Sequence, residues 1–116
     1  MQPAEYIDAD GSKKLCENPA VITEGMTSLD KEWYYIYKND DINAILNVPS
    51  DTNIILADGV SVSVKGITVD QGATLTIYGQ EKQSGALYAQ HEQYTYESDA
   101  YGIGGQGNVI NNDGRI

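Results

Sequence analysis

The chain has 116 residues, enough for one domain of ordinary size but not for two that each bury a separate core. Its 17 acidic residues outnumber its 7 basic ones, and the pI is near 4.2. With so few cationic side chains the chain cannot neutralise a row of phosphates, which excludes nucleic acid and anionic membrane surfaces as partners. No apolar run approaches the roughly 18 residues of a membrane helix, so we expect no membrane insertion.

Residues 1–25 lack the basic start and apolar core of a signal peptide, so an exported protein would have its signal missing from this chain. Cys16 is the only cysteine, and a partly buried apolar role is favoured over a nucleophile or ligand. The acidic side chains are more typical of a solvated surface than of a cation site. We therefore predict no cofactor and no metal site, and the redox compartment stays open.

Residues 1–32 are predicted to form an N-terminal hairpin followed by a loop. Turn-forming residues at Asp8 to Gly11 separate two short flanks, which indicates a two-stranded ribbon. Residues 17–30 have no sustained period and include Pro19 and Gly25, so they indicate a loop. Trp33 to Tyr37 is aromatic and β-branched and predicts a strand. We expect no long helix anywhere in the chain.

A repeat follows this strand. Residues 45–59 (ILNVPSDTNIILADG) align without a gap on residues 66–80 (GITVDQGATLTIYGQ). Within each copy apolar residues alternate with polar ones, as expected of short strands with one buried face. Four apolar pairs coincide in this alignment: Leu46 with Ile67, Val48 with Val69, Ile54 with Leu75, and Leu56 with Ile77.

A period near 20 residues with several short strands predicts a solenoid, in which successive repeats stack their inward residues in register. The alternative is a β-sandwich of hairpins, because Asp58-Gly59 between apolar runs suits a tight hairpin turn. The gapless repeat favours the solenoid. A series of hairpins gives no reason for equal turn lengths.

The pattern loosens after the second copy. Residues 85–89 indicate another short strand, and a polar loop is expected at about 90–100. The register resumes at 101–105, where Gly102-Ile103 takes the place held earlier by Gly66-Ile67. Residues 109–110 and 114–116 suggest further repeats. Residues 33–116 are thus predicted to be stacked repeats, in a single domain or in the N-terminal portion of a longer solenoid.

Five short motifs occur in a fixed order: LADG (56–59), GI (66–67), LTIYGQ (75–80), GAL (85–87) and GIGG (102–105). Together they resemble the β-helical surface-protein repeats of gut Firmicutes and related bacteria, large secreted or wall-attached proteins described as adhesins or carbohydrate-binding proteins. The resemblance covers roughly residues 33–116. It implies a right-handed parallel β-helix with glycine-rich turns, located outside the cell or at its surface, and it assigns no catalytic residues.

Two glycine-containing motifs favour turns over ligand sites. The run 102–107 is similar to a phosphate-binding loop, but no long apolar strand precedes it and no helix-forming stretch follows. Asp8 to Gly11 resembles the start of a calcium loop, yet the third acidic ligand and the glutamate at position twelve are missing.

Catalysis is the weaker alternative. Many parallel β-helix proteins act on acidic polysaccharides, and such sites need paired carboxylates or calcium ligands with a basic residue. Asp40 and Asp41 are adjacent and would point to opposite faces of a strand, and Arg115 is near the end of the chain. His91 has no nucleophile or acidic partner at a useful spacing. We predict no catalytic residues.

Nine tyrosines and no phenylalanine suggest a contact surface, because tyrosine offers a flat apolar ring with a hydroxyl at its rim. The candidate ligand-binding residues are Tyr88, Tyr94, Tyr96 and Tyr101, with Trp33 behind them. For Trp33, Tyr35 and Tyr78, a role in covering the ends or flanks of the solenoid is favoured.

Three hypotheses for function remain. The first is a non-catalytic extracellular module for cell adhesion or carbohydrate binding, with a glycan or a host surface protein as partner. The second is a purely structural β-helix cap or spacer. The third is a fragment of a polysaccharide lyase or hydrolase. The sequence leaves the ligand and the oligomeric state open.

Overall fold

A computed structural model describes residues 3–22, 26–82, 84–89, 103–105 and 108–112. These residues form ten strands and no helix, which confirms the prediction of an all-β protein. Within the same ranges there is accordingly no helical segment long and apolar enough to cross a membrane.

The N-terminal ribbon is present as a β-hairpin. Strand β1 (Ala4–Ile7) pairs antiparallel with β2 (Lys13–Cys16). Between them, the Asp8 carboxylate accepts a hydrogen bond from the backbone N–H of Ala9 at 2.8 Å, and the Asp10 carboxylate accepts one from Ser12 at 2.9 Å. Both carboxylates are therefore used as turn acceptors, in agreement with the prediction of a turn.

The remaining strands form two parallel sheets. The front sheet has the order β3, β5, β7, β10, with bounds Trp33–Ile36, Thr52–Leu56, Thr74–Tyr78 and Asn108–Asn112. The back sheet has the order β4, β6, β8, and β9 also pairs with β6; the bounds are Asp40–Val48, Ser61–Val69, Ala86–Ala89 and Ile103–Gly105. From β3 to β8, consecutive strands alternate between the two sheets.

The core is built from alternate residues of these strands. In the front sheet, Tyr34, Ile54 and Leu75 are buried while their neighbours Asn53 and Thr74 are half-buried. Buried residues of both sheets belong to one apolar cluster. Each such side chain contributes about 1.5–3 kcal/mol when it is removed from water, and the two-residue period of the sequence places them on one face.

The predicted repeat register is correct in its first half and wrong in its second. Leu46 pairs with Ile67 as predicted, but Ile54 pairs with Ile77 instead of Leu75. Val48 pairs with Val69, and the next pair is Thr52 with Leu75. Three residues, 49–51, lie between these pairs in the first copy, whereas five residues, 70–74, lie between them in the second. A slip of two residues leaves every side chain on its original face, so the hydrophobic pattern could not detect it.

Two other predictions have clear outcomes. Ile103 pairs with Ile67, which confirms the predicted resumption of the repeat after the loop. The alternative of a hairpin at Asp58-Gly59 is wrong, because β5 and β6 on either side of it belong to different sheets. The N-terminal loop also contributes single parallel bridges to both sheets, Ala20 with Tyr34 and Ser28 with Asn47.

The side chains of two turn residues, Asn39 and Asp58, bond to later parts of the chain. The side-chain oxygen of Asn39 accepts a hydrogen bond from the N–H of Ser61 at 2.8 Å. Asp58 accepts bonds from the N–H groups of Lys82 at 3.0 Å and Ser84 at 3.4 Å. These bonds satisfy backbone donors that the strand ladders leave unpaired.

Candidate functional site

The outer face of the front sheet, called the front face below, carries two rows of side chains across its strands. The first row is Trp33, Asn53 and Thr76, and the second is Tyr35, Ile55 and Tyr78. All of them point away from the core, because the residues between them are the buried ones. Polar residues dominate the first row and apolar ones the second.

An aromatic ridge, formed by Tyr6, Trp33 and Tyr78, crosses the front face. The ring of Tyr6 lies 4.8 Å from each of the other two, and Trp33 and Tyr78 stack at 5.5 Å. Ile55 is outward-facing yet 0% exposed, and its strand contacts β1 of the hairpin. Burial also raises the pKa of Tyr6 and Tyr78 above the usual value for tyrosine. The hairpin is thus packed on the front face.

Hydrogen bonds fix the hairpin in this position. The N–H of Ile7 donates to the carbonyl of Gly79 at 3.0 Å. The Gln80 amide donates to the carbonyl of Glu5 at 2.9 Å, and its oxygen accepts from the N–H of Asp58 at 3.0 Å. Gln80 therefore joins the hairpin to the turn after β5 as well as to β7.

A polar groove lies on the other side of the ridge, near the starts of the front strands. It is an open depression of about 910 Å³. Its described lining has three carboxylates, two amides, three hydroxyl groups, a proline and a glycine, and no basic side chain: Asp30, Glu32, Pro49, Ser50, Asp51, Asn53, Gln71, Gly72, Thr74 and Thr76. Such a lining offers many hydrogen-bond acceptors and several donors to a polar ligand.

The backbone of the polar groove is held by hydrogen bonds between neighbouring strand starts that lie 21 and 23 residues apart in the chain. The Asp51 carboxylate accepts from the N–H of Thr74 at 2.9 Å, and the Asn53 amide donates to the carbonyl of Glu32 at 3.1 Å. Gly72 has φ of 87°, a conformation that few other residues adopt readily. A groove fixed in this way loses little conformational freedom when a ligand binds.

A smaller cavity, called the hairpin cavity, lies between the hairpin and the front sheet. Its volume is about 260 Å³. Aromatic, apolar and charged residues line it: Pro3, Glu5, Tyr6, Ile7, Lys13, Tyr35, Asp58, Gln80 and Glu81. Lys13 lies 3.5 Å from Glu5 and 3.8 Å from Glu81 at its rim. The ridge residue Tyr6 also lines this cavity, which places the ridge between the two depressions.

The structure locates one of the predicted site residues completely. Trp33 is half-buried in the aromatic ridge, stacked on Tyr78, which fits the alternative that these residues cover a flank of the sheet. The backbone of Tyr88 lies in β8 opposite Ser63. Tyr94, Tyr96 and Tyr101 lie outside the described residues. Their role as a contact surface therefore stays a prediction.

The predicted loop at 90–100, His91 and Arg115 also lie outside the described residues. Sequence reasoning missed both the polar groove and the docking of the hairpin. The outward polar residues Asn53, Thr74 and Thr76 did alternate with apolar ones in the sequence, which was a usable signal for a polar sheet face. Nothing in the local sequence indicated which face the hairpin would cover.

No family model, curated protein sequence or solved structure matches the chain. The resemblance to β-helical surface proteins therefore stays a prediction that rests on the quoted motifs. Within the described ranges, no three His, Cys, Asp or Glu residues are grouped as metal ligands would be.

Proposed function

We propose that this chain is a non-catalytic surface module that binds neutral carbohydrate along the front face of a right-handed parallel β-helix. The polar groove is the observation that carries the proposal. It is open to solvent, fixed by hydrogen bonds and lined by carboxylate, amide and hydroxyl groups. The part of the proposal that concerns extracellular display and adhesion rests on the resemblance of the sequence motifs to β-helical surface proteins.

The order of the strands supports the β-helical architecture. Alternate strands from β3 to β8 pair in parallel within each sheet, with partners 20–25 residues apart, such as Trp33 with Asn53 and Ser61 with Ala86. This spacing is typical of a solenoid repeat. The step from β3 through β4 to β5 is a crossover between parallel neighbours, and about 98% of such crossovers are right-handed.

The chemistry of the polar groove suits sugar hydroxyl groups. Each hydroxyl both donates and accepts, and the groove offers acceptors at Glu32 and donors at Gln71 beside hydroxyls such as that of Thr76. The half-buried Trp33 is the strand neighbour of Asn53, which lines the groove, although Trp33 itself is not part of the lining. With three carboxylates and no basic residue in its described lining, the groove repels acidic glycans.

A glycan array with a matched pair of variants tests the proposal. Thr76→Arg places a long side chain in the polar groove, and Thr68→Arg makes the same change on the outer face of the back sheet, where Thr68 is also half-buried. We expect the wild type and Thr68→Arg to bind neutral oligosaccharides and Thr76→Arg to lose that binding. Circular dichroism checks that both variants are folded.

Equal binding by both variants contradicts a role for the groove, and silence of the wild type across neutral glycans contradicts carbohydrate binding. The same array tests the loop tyrosines. A Tyr94→Ala/Tyr96→Ala double variant that loses binding, while Thr76→Arg keeps it, moves the site from the groove to the loop.

A further inference from the structure

We propose that the hairpin cavity is a second and separate binding site, which takes one neutral pyranose unit, such as the end of a glycan chain, against Tyr35. The ligand class rests on the proposed function of the front face. The residues are different, so the two sites can be tested independently.

The cavity has a volume suited to one sugar unit. Its volume of about 260 Å³ is just below the roughly 300–1,000 Å³ of pockets that hold drug-sized ligands. It is bounded by the hairpin on one side and by the front sheet on the other. Tyr6, which lines the cavity, packs against Trp33 and Tyr78, and the cavity shares no lining residue with the polar groove.

The lining combines the two kinds of group that a pyranose presents. Tyr6 and Tyr35 supply aromatic surface for the apolar C–H face of the ring. Charged groups for the sugar hydroxyls come from Glu5 and Glu81, which accept hydrogen bonds, and from Lys13, which donates. All three side chains are at least half exposed. An apolar ligand would make no hydrogen bond to these charged groups, and a fully polar one would not use the rings.

The walls are fixed while the rim groups are available. Gln80 holds the Glu5 backbone and the Asp58 N–H at the same time, with bonds of 2.9 and 3.0 Å. At the rim, Lys13 is only 3.5 and 3.8 Å from the two glutamates, and exposed ion pairs of this kind contribute little. A sugar hydroxyl can replace them at small cost.

The charges of the rim select against acidic sugars. Two exposed glutamates face one lysine there, and the Asp58 carboxylate nearby is already bonded to the N–H groups of Lys82 and Ser84. A uronic acid would add a further negative charge to this surface. A neutral hexose adds none, so we expect neutral sugars to be preferred.

The test is an NMR titration of the ¹⁵N-labelled full chain with methyl glucoside, methyl galactoside and methyl glucuronide. A ligand of this size at ordinary ligand efficiency binds with a Kd of about 1 mM. We expect a neutral glycoside to shift the amide signals of Tyr35, Gln80 and Glu81, while those of Gln71 and Thr74 in the polar groove stay unchanged. Methyl glucuronide should produce no shifts.

Tyr35→Ala and Glu81→Gln each remove one part of the site, and circular dichroism checks that both variants are folded. Tyr35→Ala should weaken binding about tenfold or more, whereas Tyr35→Phe, which keeps the ring, should bind like the wild type. Glu81 is 76% exposed, so Glu81→Gln preserves the fold, and we expect it to weaken binding about threefold through loss of the charged acceptor. Thr76→Arg in the groove should leave this titration unchanged.

Shifts confined to the groove amides, or undiminished binding by Tyr35→Ala, overturn this inference and leave the proposed function standing. The reverse result also has a clear meaning. If the cavity binds the monosaccharide while Thr76→Arg and wild type behave alike on the glycan array, the groove proposal fails and the inference about the cavity stands.

Discussion

The two halves of the front face are built on the same strands and yet have opposite chemistry. In the half beneath the hairpin, Tyr35, Ile55 and Tyr78 form an apolar row, and Ile55 is fully buried. In the open half, Asn53 and Thr76 face the polar groove. The polarity of each outward side chain thus matches its surroundings: it is apolar beneath the hairpin and polar where the sheet faces solvent. One face of a sheet can therefore be apolar in one half and polar in the other.

The largest difference between the two halves is expected when one outward side chain in each half is truncated to alanine. Ile55→Ala should lower the free energy of unfolding by about 2–5 kcal/mol, because it leaves a cavity under the hairpin. Thr76→Ala in the open half should change it by no more than about 1 kcal/mol, because little apolar surface is lost. Urea denaturation measures both values. Similar losses would show that the hairpin does not shield the covered half.

A smaller effect is expected from the turn carboxylates of the two halves. Asp58→Ala, beside the hairpin cavity, removes the acceptor for two N–H groups and should cost about 1–3 kcal/mol. Asp51→Ala, in the groove, removes the acceptor for one, that of Thr74, and should cost about half as much. Thermal or urea unfolding of both variants checks the order. A larger loss for Asp51→Ala would contradict it.

The smallest effect concerns pH. Burial raises the pKa of Tyr6 and Tyr78, so the folded protein holds their protons more tightly than the unfolded chain does. The resulting stability is complete below pH 10, the usual tyrosine value, and is lost as the pH rises through the folded pKa values. Absorbance at alkaline pH, followed together with the amide signals of the hairpin, should show the two changes at the same pH.

The control for this titration is Tyr78→Phe, which keeps the ring in the ridge but has no proton to lose. The variant should retain its docked hairpin to higher pH than the wild type. Detachment at an unchanged pH would show that Tyr78 does not link ionisation to docking.

Local pattern made most of the strands predictable. The alternation in residues 45–59 and 66–80 identified β5, β7 and the later parts of β4 and β6, and Gly102-Ile103 located β9; residues 40–44 and 61–65 were not predicted as strand. The pairing of Ile54 was missed because a two-residue slip preserves the pattern. The register depends on the different lengths of the connections at 49–51 and 70–74, and the hydrophobic pattern does not reveal those lengths.

The candidate site was less predictable for a different reason. The hydrogen bond between Gln80 and Glu5 joins positions 75 residues apart, and neither residue has a local signal for it. The polar groove depends on the register that brings Asp51 to Thr74 and Asn53 to Glu32. Tyrosine composition directed attention to the loop instead, since a composition count contains no information about register.

The turn acceptors also set an order in time. Asn39, Asp51 and Asp58 each accept a bond from an N–H that lies 22–26 residues later in the chain. At a synthesis rate of about 5–20 residues per second, each acceptor leaves the ribosome roughly one to five seconds before its donor. At these three turns the acceptor is therefore synthesised before its donor, whereas the N–H groups of Asp58 and Gly59 have to wait for their acceptors on Gln80 and Ser84.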